Sequence, residues 1–321
     1  MNQPHDTAVD PIPRLRRVLN RSARHIDTQV DSGTGWRTCT ESDAGQGFSV
    51  IEPAFTTAFE IARYETLGLG DGAVVLPICP ASFRDFMIFE KHAVDAARGL
   101  TRRFLPAAAR VATAYETLTR RTFPPFRPNA LWYREPIYYM SNALTIVPSG
   151  IPVSAPAYTR ALDFELELGV VLGAPLRDAT TEEAAAAIAA VVVINDFSAR
   201  DVQLAEMRSG FGPQRAKHFL TSMSATAAAG PALTTRLDRL TATVIVNGET
   251  LARTGTHDAR YSLAEAIAHV SRGEQLYPGE LLASGTLPGG SGMELGRWLT
   301  PGDHLRLEID GVGIIEHDIH E

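Results

Sequence analysis

Three acids recur at every second position in Asp163-Phe164-Glu165-Leu166-Glu167, and Leu162, Phe164, Leu166 and Leu168 stand between and around them. A period of two predicts a strand with the acids on one face and the apolar residues on the other. Like charges on one face repel, and carboxylates taken out of water are costly unless something positive neutralises them. The apolar run around them argues for a largely buried strand. Oxygen donors without cysteine or lysine among them suit a hard cation such as Mg2+, Ca2+ or Mn2+. On its own, the same pattern also describes an amphipathic strand with its acids in water.

Other residues of the same chemistry lie along the chain. Asp196 closes the buried run 191–194 and precedes a helix predicted over 198–208. Backbone N–H groups gather at such a helix start, close to Arg200 and Gln203. Lys217 stands in a glycine/proline loop, 210–221. Of 30 basic residues only Lys91 and Lys217 are lysine. Against such a bias, a lysine hints at a place where a compact charge of tunable pKa serves better than arginine. Residues 82–93, S-F-R-D-F-M-I-F-E-K-H-A, predict the start of a helix running toward Arg103. On a helix Asp85 and His92, seven apart, share a face. A solvated acid and a partly buried histidine is the plainer local reading.

These side chains need elements to hold them. The spacing predicts helices over 56–67, 107–121 and 262–272, and short strands over 73–78, 133–139 and 143–147. Thr180-x-x-Glu183 is a capping box before an alanine-rich helix. Asn247-Gly248 predicts a hairpin between 241–246 and 249–254. A strand over 280–283 leads into the glycine-rich loop 284–295, and a closing hairpin turns at Asp310-Gly311. Arg14, Arg16, Arg17, Arg21 and Arg24 predict a solvated helix face, which the acids that follow favour over the alternative of a transit peptide. Strands, hairpins and helices in mixed order favour a β-rich α+β architecture over a doubly wound parallel sheet. A smaller N-terminal portion, 1–75, is expected ahead of a main domain, 76–321. The glycine run 285–292 fits neither a phosphate loop nor a dinucleotide fingerprint.

Composition narrows the classes. The chain has 321 residues, 45% hydrophobic and 21% charged, enough for one large core or a domain with a smaller companion. A net charge of −7 gives no basic footprint for nucleic acid. Cys39 and Cys79 make neither a metal spacing nor a disulfide framework, so reduced thiols in the cytoplasm are expected. No apolar run reaches transmembrane length, and residues 1–10 are polar with no signal-peptide core.

Taken together, residues 76–321 resemble the fumarylacetoacetate hydrolase superfamily. D-F-E-L-E looks like its paired-glutamate strand and N-D-F-S-A-R-D-V-Q (195–203) like its N-D-x-S-A-R-D-x-Q signature. F-G-P-Q-R-A-K-H-F (211–219) resembles its lysine loop, S-G-T-L-P-G-G-S-G (284–292) its late G-T loop, and W-L-T-P-G-D (298–303) the segment after it. The resemblance implies a β-rich mixed fold of sandwich or roll type, a homodimer, and a divalent metal held by Asp85, Glu165, Glu167 and Asp196. Mg2+ is the expected ion, with Mn2+ or Ca2+ as alternatives. Asp163 is then a support behind the ligands or faces solvent. Lys217 matches the family lysine near metal and substrate. Arg200, Gln203, Tyr139 and Thr286 match substrate-side positions. His92 matches the general base, and Glu294 falls where its carboxylate partner is expected. The resemblance implies hydrolysis of a carbon–carbon bond in a β-diketo or acylpyruvate-type acid. Decarboxylases, hydratases, isomerases and biosynthetic relatives share the metal site. Met87 and Met207 depart from tyrosines of the fumarylacetoacetate-cleaving members. A substrate carboxylate would then be bound otherwise, with Arg98, Arg102 or Arg103 as candidates, or the substrate is more apolar.

Overall fold

A computed structural model describes residues 12–40, 43 and 55–321. The arginine-rich start, predicted as a helix face, is instead an antiparallel hairpin of β1 (Arg14–Asn20) and β2 (His25–Asp31). The reason is the alternation of Leu15, Arg17 and Leu19, which all turn inward. Arg17 is neutralised there by Glu60 at 2.8 Å, on helix α1 (Thr57–Thr66). The predicted strand over 73–78 shortens to Val74–Val75, which pairs with β1. The polar residues 1–10 lie outside the described residues.

Residues 82–104 are not one helix. They form strand β3 (Phe83–Phe86), a short link, and helix α2 (Glu90–Phe104), followed by α3 (Pro106–Thr119). Asp85 and His92 therefore approach across a strand–helix corner, not along two helical turns. Farther on come β4 (Tyr138–Ser141), β5 (Glu165–Leu172), β6 (Ile188–Asp196) and helix α4 (Arg200–Ser209). Of the strands predicted over 133–147, the first begins only at Tyr138, and Ala143–Thr145 is a 3-10 turn.

The Asn247-Gly248 hairpin joins β7 (Thr241–Val246) to β8 (Glu249–Gly255). The segment predicted as a loop after residue 283 remains extended, and β9 runs Leu281–Ser291. Its glycines act as irregularities within the strand. Two register shifts against β5 occur there, and Gly285 has φ +74°. A Cβ at Gly285 would stand 2.2 Å from the Phe86 carbonyl oxygen, so β9 and the end of β3 touch only because that residue is glycine. The chain closes with β10 (His304–Ile309) and β11 (Gly313–His320).

A twelve-stranded sheet carries β6, β5, β9 and β3 side by side, and a five-stranded sheet contains β8, β7, β10 and β11. This is the β-rich mixed α+β fold that the residue pattern predicts. Every residue of β5 is buried. Its Leu166, Leu168, Val170 and Leu172 pack in one cluster with Val244, Leu307 and Ile315 of the smaller sheet. Val171, with Val192 and Ile194, joins Leu19, Ile61 and Tyr64 on the other side. Two apolar faces hold the central strands rigid, which is what a site built on their ends requires. Through β1, the N-terminal hairpin belongs to the same sheet.

Candidate active site

Four adjacent strands bring the acids together. Asp85 comes from β3, Glu165 and Glu167 from β5, and Asp196 from the end of β6. Thr286 on β9 lies opposite Glu167 in the register and donates to its Oε1 at 3.4 Å. Asp85, Glu167 and Asp196 each offer an oxygen within 4.8 Å of the others, and all three are buried. Glu165, the fourth expected ligand, is not in that cluster. Its carboxylate is held by Arg200 at 2.7 Å and by the Lys217 ammonium. Lys217 also meets Asp196 Oδ2 at 2.6 Å.

The charge balance explains what this cluster can hold. Five buried carboxylates (Asp85, Asp163, Glu165, Glu167, Asp196) stand against two buried cations, Arg200 and Lys217. Burial, then repulsion from Asp196, pushes the Asp85 carboxyl well above the usual carboxylate range. Burial, then repulsion from Asp85, does the same to Glu167. Glu165 goes the other way: burial opposes its charge, but Arg200 and Lys217 outweigh it and keep the carboxyl low. Burial also opposes the Lys217 charge, and Asp196 and Glu165 outweigh it, so the ammonium keeps its proton. Asp85 Oδ1 and Glu167 Oε2 are buried without a hydrogen-bond partner. Oxygen-only donors, unpaired lone pairs and surplus negative charge fit a hard divalent ion.

Tyr139, on β4 opposite Asp85, donates its hydroxyl to Asp196 Oδ2 at 2.6 Å. Burial and the nearby Asp196 raise its pKa far beyond the ordinary phenol value, so the proton stays on the oxygen. Tyr139 is thus both a wall of the cavity and a support for one acid of the cluster.

His92 and Glu294 do meet. His92 Nδ1 is 3.0 Å from Glu294 Oε2, and both side chains are buried. The length is that of a hydrogen bond, although the ring N–H does not point along it. Glu294 is fixed independently. It accepts from Ser291 Oγ at 2.7 Å and from the Gly289 N–H at 2.9 Å. The turn carrying it, Gly292–Leu295, packs on α2 at Gly99, where a Cβ would lie 2.0 Å from the Met293 carbonyl oxygen. The pair therefore depends on a glycine in the middle of a helix, a residue disfavoured there unless close packing demands it.

Arg200 stands behind Glu165 and not at the open cavity. It is fully buried, with Nε on Asp163 Oδ2 at 2.8 Å and Nη1 donating to Gln203 Oε1 at 2.8 Å. Asp163 is a buried support rather than a solvent-facing acid. It also accepts from the Met293 N–H at 3.0 Å. One carboxylate thus ties Arg200 and Glu165 to the turn that carries Glu294. That link was not readable from the spacing, because its partners are 37 and 130 residues away.

A cavity of about 270 Å3 opens over these groups, lined by Asp85, His92, Glu165, Glu167, Lys217, Thr286, Gln203 and Tyr139. Met87 and Met207 form part of its wall. Arg98, Arg102 and Arg103 line neither this cavity nor the adjoining one beneath Met207. Arg98 is bound by Asp95 at 2.6 Å and Glu116 at 2.8 Å, Arg102 donates to the Glu294 carbonyl oxygen at 3.3 Å, and Arg103 covers Trp298. The expectation that one of them receives a substrate carboxylate does not hold, because each has a partner outside the cavity.

The fold and the buried acid cluster belong together in one known family. A family profile described as fumarylacetoacetate (FAA) hydrolase, C-terminal, matches residues 109–320. The chain belongs to the fumarylacetoacetate hydrolase family. Asp85 and His92 precede the matched span, so their place in the site rests on the geometry. Over 193 residues the chain is 30% identical to the oxaloacetate tautomerase YisK of Bacillus subtilis, covering 57% of this chain and 61% of that one. Over 188 residues it is 32% identical to the mitochondrial oxaloacetate tautomerase FAHD2A of Bos taurus, covering 57% and 58%. The match thus spans less than two thirds of either of these relatives. A fumarylacetoacetate hydrolase from Exiguobacterium antarcticum superposes with a TM-score of 0.63 at 18% identity, covering 96% of this chain and 99% of that one. A 5-carboxymethyl-2-hydroxymuconate delta-isomerase from Mycobacterium smegmatis superposes equally, at 0.63 and 18%, with 96% and 99% covered. At that identity the likeness is one of fold.

Proposed function

We propose that this protein is a divalent-metal-dependent hydrolase that cleaves a carbon–carbon bond in a β-diketo acid of the acylpyruvate type. The observation that carries this reading is the buried His92–Glu294 pair, at 3.0 Å, beside the carboxylate cluster in one cavity. Asp85, Glu167 and Asp196 would hold the ion, with Glu165 at its side, and Mg2+ is the ion proposed. When bound, it supplies polarisation of the substrate's chelating oxygens and stabilises negative charge formed there.

The chain's own residues then have defined tasks. Glu294, 3.0 Å from Nδ1, holds that side of the His92 ring by charge, and Nε2 takes a proton from water. The water oxygen bonds to the remote carbonyl carbon, and the bond from that carbon to the methylene breaks. The electron pair goes to the methylene carbon, which takes a proton to become the methyl group of pyruvate. An acylpyruvate anion plus water thus gives a carboxylate, pyruvate and one proton. Lys217, held protonated by Asp196 and Glu165, faces the negative charge as a fixed cation. Gln203, Tyr139 and Thr286 line the same space and orient the substrate.

A second reading is tautomerisation of a keto acid, supported by the two oxaloacetate tautomerases matched above. Decarboxylation, hydration and biosynthetic chemistry draw on the same site. The test is turnover of a short acylpyruvate with and without Mg2+, beside His92→Ala. We expect metal-dependent cleavage that falls about 10²–10⁴-fold in the variant while metal affinity barely changes. Tautomerisation of oxaloacetate without cleavage of any acylpyruvate would favour the second reading. The proposal includes a cytoplasmic homodimer acting on a small keto acid, with sedimentation velocity as the check on the dimer.

A further inference from the structure

We infer that the substrate's far end is an uncharged, apolar acyl group and not a second carboxylate. This rests on the acylpyruvate reading for the head of the molecule and assigns the chemistry of its tail.

The cavity has two unlike ends. Its inner end is charged and buried: Asp85, Glu167 and Lys217 are 3%, 1% and 3% exposed. Its outer wall is made by Met87, Ile137, Tyr138 and Met207. Tyr138 and Met207 are 38% and 56% exposed, so the apolar wall is the side that opens to solvent. A chelating keto-acid head belongs at the inner end, which leaves the tail against methionine, isoleucine and tyrosine. Methionine adapts its shape to apolar chains and offers no hydrogen-bond donor.

No cation is left for a distal carboxylate. Among the described residues, Lys217 and Arg200 are the arginine or lysine side chains that line this cavity and the adjoining one. Lys217 is held by Glu165 and Asp196, and Arg200 by Asp163 and Glu165. Arg98 is bound by two acids and Arg103 lies over Trp298, 5.2 Å from the ring centre. Arg215, two residues before the lysine, covers the Tyr158 ring at 4.1 Å. A carboxylate against the outer wall finds no unpaired arginine or lysine there, so whatever water it loses against the methionines is not offset by an ion pair.

The test uses unreactive probes, so that it does not depend on turnover. Binding of straight-chain 2-oxo acids to the Mn2+-loaded protein is measured by calorimetry, from 2-oxobutanoate to 2-oxooctanoate. 2-Oxoadipate, which carries a terminal carboxylate, is the comparison. We expect affinity to rise about fourfold per added methylene and the terminal carboxylate to bind at least about tenfold more weakly than the methyl-ended acid of equal length. Met207→Arg is expected to reverse that preference. Equal or tighter binding of 2-oxoadipate by the unaltered protein overturns the inference, as does affinity independent of chain length. If the series holds while no acylpyruvate is cleaved, the hydrolase reading fails and the apolar tail stands. If acylpyruvates are cleaved without any chain preference, the tail assignment fails and the hydrolase reading stands.

Discussion

Glu167 and Asp85 carry the sharpest residue-level consequence. Burial raises both carboxyl groups, with repulsion from Asp196 adding to it at Asp85 and repulsion from Asp85 adding to it at Glu167. In the metal-free protein they keep protons that the unfolded chain has already lost, so the folded state binds more protons. Stability must then fall as pH rises from the ordinary carboxylate range, near 4, through the raised values. A divalent ion binds the ionised groups and should reverse the trend, with apparent metal affinity rising over the same window. Glu167→Gln removes one of the two titrations. It should weaken metal binding by at least about 100-fold and flatten the pH dependence of metal-free stability. Melting from about pH 5 to about pH 8, in chelator and in Mn2+, reads both. A variant whose metal-free slope equals that of the parent would remove the argument. Asp163 makes a second case. Asp163→Asn leaves the buried Arg200 under-neutralised, a loss on the order of 3 kcal/mol, and loosens Glu165 and the Met293 turn together. Chemical denaturation and kcat should both suffer. Loss of stability alone would make Asp163 a fold residue with no link to the site.

Helix α2 and the Gly292–Leu295 turn set the His92–Glu294 distance, and their contact passes through Gly99. A methyl group at that position has no room, since the obstacle is backbone. Gly99→Ala should push the helix away at a cost of about 1–3 kcal/mol and lower kcat at least about tenfold. Metal affinity should change little, because Asp85, Glu167 and Asp196 are carried by strands of the sheet and not by α2. Parallel titrations of Mn2+ and of acylpyruvate cleavage separate these effects, and equal loss of both would mean that the whole sheet has shifted. The same corner shows why a helix-only reading of 82–104 failed. Phe83, Arg84, Asp85 and Phe86 are all buried because β3 lies between β9 and β4, and sheet pairing outweighs local helical preference.

For the molecule as a whole, the N-terminal hairpin is built into the sheet that carries the acid cluster. β1 pairs with Ala227–Ala228 and with Val74–Val75, and Leu19 and Ile26 join the core beneath β5 and β6. Arg17 is also the cation that neutralises Glu60, which is fully buried. The full chain should therefore unfold in one transition, and a variant lacking residues 1–35 should lose that cooperativity. Circular dichroism melts of both decide it, and a truncated protein that still melts sharply would mean that the hairpin is an appendage. Among the described residues, no helix is long and apolar enough to cross a membrane.

Several parts of this picture were legible in the linear sequence for a local reason. Alternation over 162–168 marks a strand whichever neighbours it has. Asn247-Gly248 makes a hairpin from its own turn chemistry, and Thr180 with Glu183 closes a capping box across three residues. The acids, His92, Glu294 and Lys217 stood out by type and spacing, and the cavity lining includes all but Asp163, Asp196 and Glu294. What folding alone decided depends on partners far apart in the chain. It made β3 a strand, extended β9 through its glycines, and drew Arg200 behind Glu165. It also occupied Arg98 and Arg103 elsewhere, leaving the outer cavity wall apolar. Periodicity records which way a side chain points relative to its own backbone; which charge it meets there is a property of the packed sheet.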